Sequence, residues 1–139
     1  MATLSIEAGL VYKLTNTAGI TALVSTRVYL ETIPQGATLP CITYQRISTP
    51  RLTAHDTSGS AGTASPRFQF DAWATTYASA RAIADALRAA LNGYKGTITS
   101  GADSVVVQSI LIDGESSEPD LVAGLARIRS DYVIYHVEA

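Results

Sequence analysis

The sequence is short of the residues that most often form cross-links, metal sites and catalytic centres. Its 139 residues include one cysteine and two histidines. The single cysteine, Cys41, excludes an internal disulfide and is compatible with a reducing compartment such as the cytoplasm. Neither histidines nor cysteines occur at the spacing of a transition-metal site, so we expect no metal and no cofactor.

Long apolar runs and strong charge are also missing. No apolar run approaches the roughly 20 residues that span a membrane, and the first residues lack the basic start and apolar stretch of a signal peptide. We therefore expect no membrane partner. The net charge of −2 gives no general attraction to nucleic acid. No phosphate-binding glycine pattern and no nucleophile elbow occur, so we predict that the protein is not an enzyme.

What is present is a globular composition with two clear helical patterns. Apolar residues make up 47% of the chain, which predicts a single domain over residues 1–139. Apolar residues at helical spacing predict a helix over about 4–16, ended by Gly19, and a further short turn of helix at 20–24 is left open. The second helix is "TTYASARAIADALRAALNG", with Thr76 as its N-cap and Gly93 as its C-cap.

The remaining regular segments have the composition and alternation of strands. In "RFQFDAWA", Phe68 and Phe70 share one face with Ala72, so one side of this strand is predicted to be buried. Strands are predicted over about residues 41–48, 67–74, 95–99, 104–113 and 126–137. Because helices do not alternate regularly with strands, the order predicts an α+β domain. We expect a mostly antiparallel sheet with two main α-helices packed on one face.

A long polar connection, residues 49–66, interrupts this pattern between two predicted strands. It is nearly all Ser, Thr, Ala and Gly, and an 18-residue unstructured connection in a small domain calls for a reason. We expect a long flexible hairpin loop whose arms, as a ribbon, would reach about 30 Å onto a neighbouring subunit. The hypothesis is that the loop is mobile in the free subunit and orders on assembly. The alternative is a tolerated insertion in a surface hairpin.

Charge is unevenly distributed along the chain. Residues 27–67 hold four arginines against Glu31 and Asp56, a net charge of +2, whereas residues 103–120 hold five acidic residues and no basic one. Opposite patches of this kind suit a head-to-tail contact between subunits, where they set register and association rate. The residues predicted to form this contact are Arg46, Arg51, Leu52, His55, Arg67, Asp113, Glu115, Glu118 and Asp120.

Two chemical interpretations compete weakly with this assembly hypothesis. The acidic stretch "DGESSEPD" carries oxygen donors but lacks the spacing of a calcium loop, so we interpret it as a solvated turn. A serine triad with His136 and Asp131 can be drawn, as in most proteins, which makes a hydrolase the weakest alternative. A small-molecule-binding α+β domain with a pocket on its sheet is the other class that stays open.

The order of motifs resembles the tail-completion or tail-terminator family of long-tailed bacteriophages and gene-transfer particles. After the first helix come "TALV", an Arg-Val-Tyr strand, a Pro-x-Gly turn, Leu-Pro and the strand "CITYQRIS". A variable polar loop follows, and then "RFQFDAWATTYASARAIADALRAALNGYKG" matches the family's aromatic strand and its Tyr-x-x-Ala-Arg helix start. The last segment, "DYVIYH", fits less specifically.

The resemblance implies a structural virion protein without catalytic residues. It implies a homo-oligomer, a hexameric ring at the head-proximal end of the tail, assembled in the cytoplasm of the bacterial host. There it would end growth of the tail tube, with the tail-tube protein and the head-tail connector protein as partners. DNA passing through the lumen without sequence-specific contact is a further partner that the resemblance leaves open. A head-side connector or head-closure protein is the alternative in the same class.

Overall fold

The computed structural model describes residues 2–3, 5–49, 51–54, 59–117 and 124–137, and for residues 2–3, 51–54 and 59–63 it describes the backbone. Within these residues the chain forms three helices and a single sheet. The helices are α1 (Ile6–Thr15), α2 (Ala18–Val24) and α3 (Tyr77–Leu91). The strands are β1 (Ala2–Thr3), β2 (Val28–Leu30), β3 (Cys41–Ser48), β4 (Arg51–Ala54), β5 (Gly59–Ala64), β6 (Arg67–Ala74), β7 (Gly96–Ser100), β8 (Asp103–Ser117) and β9 (Ala126–Val137).

The helices begin and end at residues suited to those positions. The Ser5 hydroxyl accepts a hydrogen bond from the Ala8 amide at 3.2 Å, and the Thr76 hydroxyl accepts one from the Ser79 amide at 3.2 Å. Each satisfies an amide that a helix start leaves unpaired. Gly93 follows Asn92, the C-cap of α3, with a φ of +81°, a conformation that favours glycine, so the predicted left-handed glycine at this helix end is confirmed. The predicted stop at Gly19 is wrong, because α1 ends at Thr15 and Gly19 lies inside α2.

The described strands form one nine-stranded sheet in the order β1-β8-β9-β6-β3-β2, with β4, β5 and β7 joined beside this row. β3–β6, β6–β9, β8–β9, β7–β8, β4–β5 and β5–β9 pair antiparallel, whereas β1–β8 and β2–β3 pair parallel. The sheet is therefore mostly antiparallel, and the predicted α+β class is confirmed. The long strand β9 is central, since it pairs with β5, β6 and β8.

All three helices cover one face of this sheet. The main core joins helix residues to alternating strand residues, and Phe70 and Tyr132 are at its centre with ring centroids 5.7 Å apart in an edge-to-face arrangement. Such a pair stabilises the fold by about 0.5–1.5 kcal/mol beyond the area it buries. The short helix left open at 20–24 is present as α2, and its Ile20 and Val24 are fully buried in this core. We call the opposite side of the sheet the outer face.

The connection predicted to lack regular structure contains two paired strands. In β4 and β5, Arg51 lies opposite Ala64 and Ala54 lies opposite Gly59. β5 also pairs with the end of β9, through Thr63 opposite Val137. We call these two strands the ribbon. The described part of this connection is therefore not unstructured, and the hairpin geometry predicted for it is confirmed. Its mobility in the free subunit and its ordering on assembly stay predictions. Backbone pairing forms a strand without an apolar face, which is why side-chain alternation did not reveal it.

Candidate assembly surface

Four of the nine residues predicted from charge and loop position have described side chains: Arg46, Arg67, Asp113 and Glu115. Arg51 and Leu52 lie in β4, where the backbone alone is described. His55, Glu118 and Asp120 lie outside the described residues. The role of these five residues in a subunit contact therefore remains a prediction.

Arg46 connects the first helix to the sheet. Its Nη2 atom donates to Oε1 of Glu7 at 2.5 Å, and its Nη1 atom donates to the Thr49 hydroxyl at 2.7 Å. The guanidinium also lies over the Phe68 ring, 5.3 Å from its centroid. These contacts satisfy the charge within the subunit and hold α1 against β3.

Arg67 and Asp113, predicted as members of opposite patches, pair with each other in the same subunit. Nη2 of Arg67 lies 2.6 Å from Oδ2 of Asp113, and Nη1 lies 3.6 Å from Oδ2 of Asp131. Glu115 likewise accepts a hydrogen bond from Arg81 of α3. The basic and acidic segments therefore neutralise part of their charge internally. The part that Arg67, Asp113 and Glu115 play in a contact between subunits stays a prediction.

A layer of polar and aromatic side chains covers the outer face of strands β3, β6 and β9. The indole nitrogen of Trp73 donates to the Thr43 hydroxyl at 2.9 Å, and the Arg127 guanidinium lies 4.9 Å from the Trp73 ring centroid. Nε of Arg129 lies 3.5 Å from Oδ1 of Asp71. Burial raises the pKa of the Asp71 carboxyl, and the nearby Arg127 and Arg129 oppose this shift. Sequence alternation placed Asp71 and Trp73 on this face but did not predict that Asp71 would be 8% exposed.

An apolar strip adjoins this polar layer on the outer face. Leu111 of β8 lies opposite Val133 of β9, and Tyr135 and Val137 follow Val133 on the same side of the strand. Leu111 is 52% exposed and Tyr135 is 39% exposed. Exposed apolar side chains that adjoin one another mark a surface suited to protein contact. The strip was not predicted as a contact, although the alternation of "DYVIYHV" contained the signal.

The alternative chemical sites do not assemble from the side chains that the structure describes. His136 is buried on the helix side of β9, five residues from Asp131, which points to the outer face and pairs with Arg67. The two members of the drawn triad therefore lie on opposite sides of the sheet. Asp113, which pairs with Arg67, and Glu115, which pairs with Arg81 of α3, also lie on opposite sides of the sheet. The described part of the chain contains no group of three or more His, Cys, Asp or Glu that could hold a metal ion.

The remaining chemical features are a buried thiol and a cleft. Cys41 is fully buried, and burial raises its pKa to about 11, which makes it a poor nucleophile. A cleft of about 380 Å³ lies between α1 and β7. Lys13 lies in it with Nζ 3.7 Å from the Tyr94 ring centroid, and burial lowers the pKa of this amine. No described helix is both long and apolar enough to cross a membrane.

Comparison with known proteins decides among the classes that the geometry leaves. A family model described as "Tail completion protein gp17" matches residues 8–135. The chain belongs to this tail completion family. The matched residues include most of α1, all of α2 and α3, both strands of the ribbon, and the outer face up to Tyr135. The resemblance drawn from the motifs is therefore confirmed, and the chain is a structural component of a virion.

A solved structure has the same fold. A chain from the structure titled "Virion of native gene transfer agent (GTA) particle" aligns with a TM-score of 0.70 and 21% sequence identity, covering 97% of this chain and 96% of that one. At this identity the match shows a shared fold over the whole length. No curated protein matches the chain. Membership of a structural family favours a non-enzymatic role for the tail completion chain.

Proposed function

We propose that this tail completion protein forms a ring at the head-proximal end of the tail, where it ends growth of the tail tube and joins the tail to the head connector. The family match over residues 8–135 carries this proposal. The tail-tube protein and the head connector are the partners it requires. The proposed ring contains six copies, and DNA passes through its lumen without sequence-specific contact.

The distribution of side chains in the subunit supports an assembly role. Polar groups on the outer face are paired within the subunit, as in the contacts of Arg67 with Asp113 and Asp131. The apolar strip of Leu111, Val133, Tyr135 and Val137 adjoins them, and all of its members except the partly buried Val133 are exposed. A rigid polar surface beside an apolar one matches the usual composition of an interface, in which an apolar centre is bordered by polar groups.

A closed ring of identical subunits requires two different surfaces on each copy. Head-to-tail contacts are heterologous, because one patch of a subunit meets a different patch of the next. The ribbon stands on one side of β9, and α1 with β7 stands on the other side. The subunit thus offers separate surfaces at the two ends of its sheet, as a ring demands.

The proposal is tested by removing the protein from particle production and examining the products by electron microscopy. We expect tails of uncontrolled length, or heads and tails that fail to join, and restoration of normal particles when the wild-type gene is supplied. The purified protein should form rings of six times the 14.6 kDa subunit mass, measured by native mass spectrometry. Tails of normal length joined to heads in its absence would contradict the proposal.

The same rings distinguish the head-side alternative. Rings that bind purified tail tubes and cap one end support tail termination. Rings that bind only the portal end of a filled head would instead identify a head-closure protein. Tube and portal binding are therefore measured side by side by cosedimentation and negative-stain microscopy.

A further inference from the structure

Strand β7 forms an edge of the sheet and pairs with β8 on one side. Gly96 lies opposite Val107, and the register continues without a shift to Ser100 opposite Asp103. Within the described parts of the chain, no other strand pairs with β7. The second side of β7 therefore presents its backbone amides and carbonyls as an open edge.

The strand itself carries none of the sequence features that normally protect an exposed edge. The residues of β7, "GTITS", include no charged side chain and no proline, and no bulge interrupts them. Natural proteins protect such edges with charge, proline, bulges or very short strands, or cover them with a helix or loop. Helix α1 lies beside β7, but a cleft of about 380 Å³ separates the two. The parallel edge strand β2 is protected by its length of three residues. An unprotected five-residue edge is expected to be covered in the assembled protein.

The cleft beside α1 runs along this same edge. Its lining includes Thr97, Ile98 and Thr99 of β7, and Lys13 and Asn16 of α1. Ile98 is buried towards the helices, whereas Thr97 and Thr99 are exposed on the other face. A cleft lined by all three must lie along the strand's edge rather than on one face. A groove between an edge strand and a helix is a common place for an added strand to bind.

The ribbon supplies a matching edge on the other side of the sheet. β4 pairs with β5, and within the residues described no strand pairs with its second side. β4 has four residues and β7 has five, which corresponds to about 13 Å and 17 Å of strand. The ribbon's residue types are mostly small, "RLTA" and "GSAGTA", so close approach of two backbones beside α1 is sterically easy.

We propose that β4 of one copy pairs with β7 of the next copy, which joins the sheets of neighbouring subunits around the ring. The two edges are different parts of the chain at opposite ends of its sheet, so the contact is heterologous and propagates from copy to copy. It satisfies both open edges at once. This inference rests on the proposed ring and adds the surface through which its subunits meet.

The test uses disulfide cross-linking of the full-length protein. Cys41 is the one cysteine in the chain, so a Cys41→Ala background makes the cross-links unambiguous. Thr53→Cys in β4 is combined with cysteine at each of positions 96 to 100 in turn. Cross-strand Cα atoms lie about 4.5–5.5 Å apart, within the range that a disulfide accepts. The matched control combines Thr53→Cys with Leu30→Cys on the β2 edge, where Leu30 is 57% exposed.

We expect oxidised rings to give a ladder of covalent oligomers on a non-reducing gel. The ladder should be strong at alternate positions of β7 and weak between them, because side chains of a paired strand alternate between faces. Single-cysteine variants should give no oligomer larger than a dimer. Circular dichroism and ring formation of each variant under reducing conditions confirm that the cysteines leave the fold intact.

The outcomes separate this inference from the proposed function. Intact rings without a ladder from any of the five positions overturn the β4–β7 contact and leave the ring standing. Intact rings with a ladder from the Leu30→Cys control instead move the contact to β2 and also overturn it. If the wild-type protein forms no ring in solution or in particles, the proposed function fails and this inference fails with it.

Discussion

The ion pair between Arg67 and Asp113 tests whether the uneven charge of the sequence is used inside the subunit or between subunits. The two side chains are 33% and 54% exposed, and their closest atoms are 2.6 Å apart. Exposed ion pairs couple by about 0.2–1 kcal/mol, and solvent screening keeps the value low. Arg67 also has Asp131 within 3.6 Å, which helps to hold its side chain in place. We therefore expect a coupling of about 0.5–1 kcal/mol.

The measurement is a double-mutant cycle of Arg67→Ala, Asp113→Ala and the double variant, with urea unfolding of the free subunit followed by circular dichroism. At 1 M NaCl, where the Debye length is about 3 Å, the coupling should fall to about 0.3 kcal/mol or less. The control cycle combines Arg67→Ala with Asp85→Ala. Asp85 is a half-exposed carboxylate on α3 that pairs with Arg81 and Arg88. Distant groups should show additive effects and no coupling.

The opposite result would support the predicted contact between subunits through these charges. No coupling in the free subunit, together with a loss of ring assembly in Arg67→Ala that Asp113→Ala shares, would show that the two residues pair across copies. The internal neutralisation of the basic and acidic segments would then be wrong. The same experiment at low and high salt separates this outcome from a general loss of stability.

Three further predictions concern buried groups. Because burial raises the pKa of Asp71 above its usual 3.8, its contribution to stability is present below that pH and is lost as pH rises through the raised value. The stability of Asp71→Asn relative to wild type should therefore increase as the pH rises above 3.8, and a decrease in urea unfolding would contradict the sign. Tyr132 is fully buried and its hydroxyl has no hydrogen-bond partner among the described residues, so Tyr132→Phe should raise the free energy of unfolding by about 1 kcal/mol, whereas Tyr135→Phe, at a side chain that is 39% exposed, should leave it unchanged. Cys41, buried and with a pKa of about 11, should react with a thiol reagent at pH 8 only after denaturation, and rapid labelling of the native protein would show that the β3 strand opens.

Much of the fold was predictable because its elements carry local signals. Helix α3 combines a capping hydroxyl, an apolar stripe and a terminal glycine, so its bounds follow from neighbouring residues. Strand β9 alternates over its length, and the buried Tyr132, Ile134 and His136 share the face that this alternation predicts. Such patterns depend on which side of an element meets the core, and one sequence contains that information.

The ribbon was missed for the opposite reason. Residues of β4 and β5 have no apolar alternation, so their strand structure comes from backbone pairing with each other and, at Thr63, with the distant β9. Val137, the residue of β9 that pairs with Thr63, lies more than 70 positions further along the chain, so no local pattern can reveal this pairing. The pairing of β5 with β9 depends on the order of strands in the sheet, which no local pattern contains.

Part of the candidate surface could likewise be predicted from the sequence, and part could not. The sequence showed an excess of basic residues in one segment and of acidic residues in another, and it suggested that they meet. Only the sheet order shows that they meet within one subunit, because β6, β9 and β8 are neighbours and bring Arg67 beside Asp113 and Asp131. Composition cannot distinguish a pair formed across a sheet from one formed across an interface.

The sequence by itself determined the class of this protein, its helices and most of its strands, because packing patterns and motif order are written in consecutive residues. The tertiary structure decided which charges are already paired, which apolar side chains form a strip and which strand edges remain open. Those properties depend on the lateral order of strands far apart in the chain. Pairing between distant strands is governed by hydrogen bonds of a backbone that is chemically the same at almost every residue.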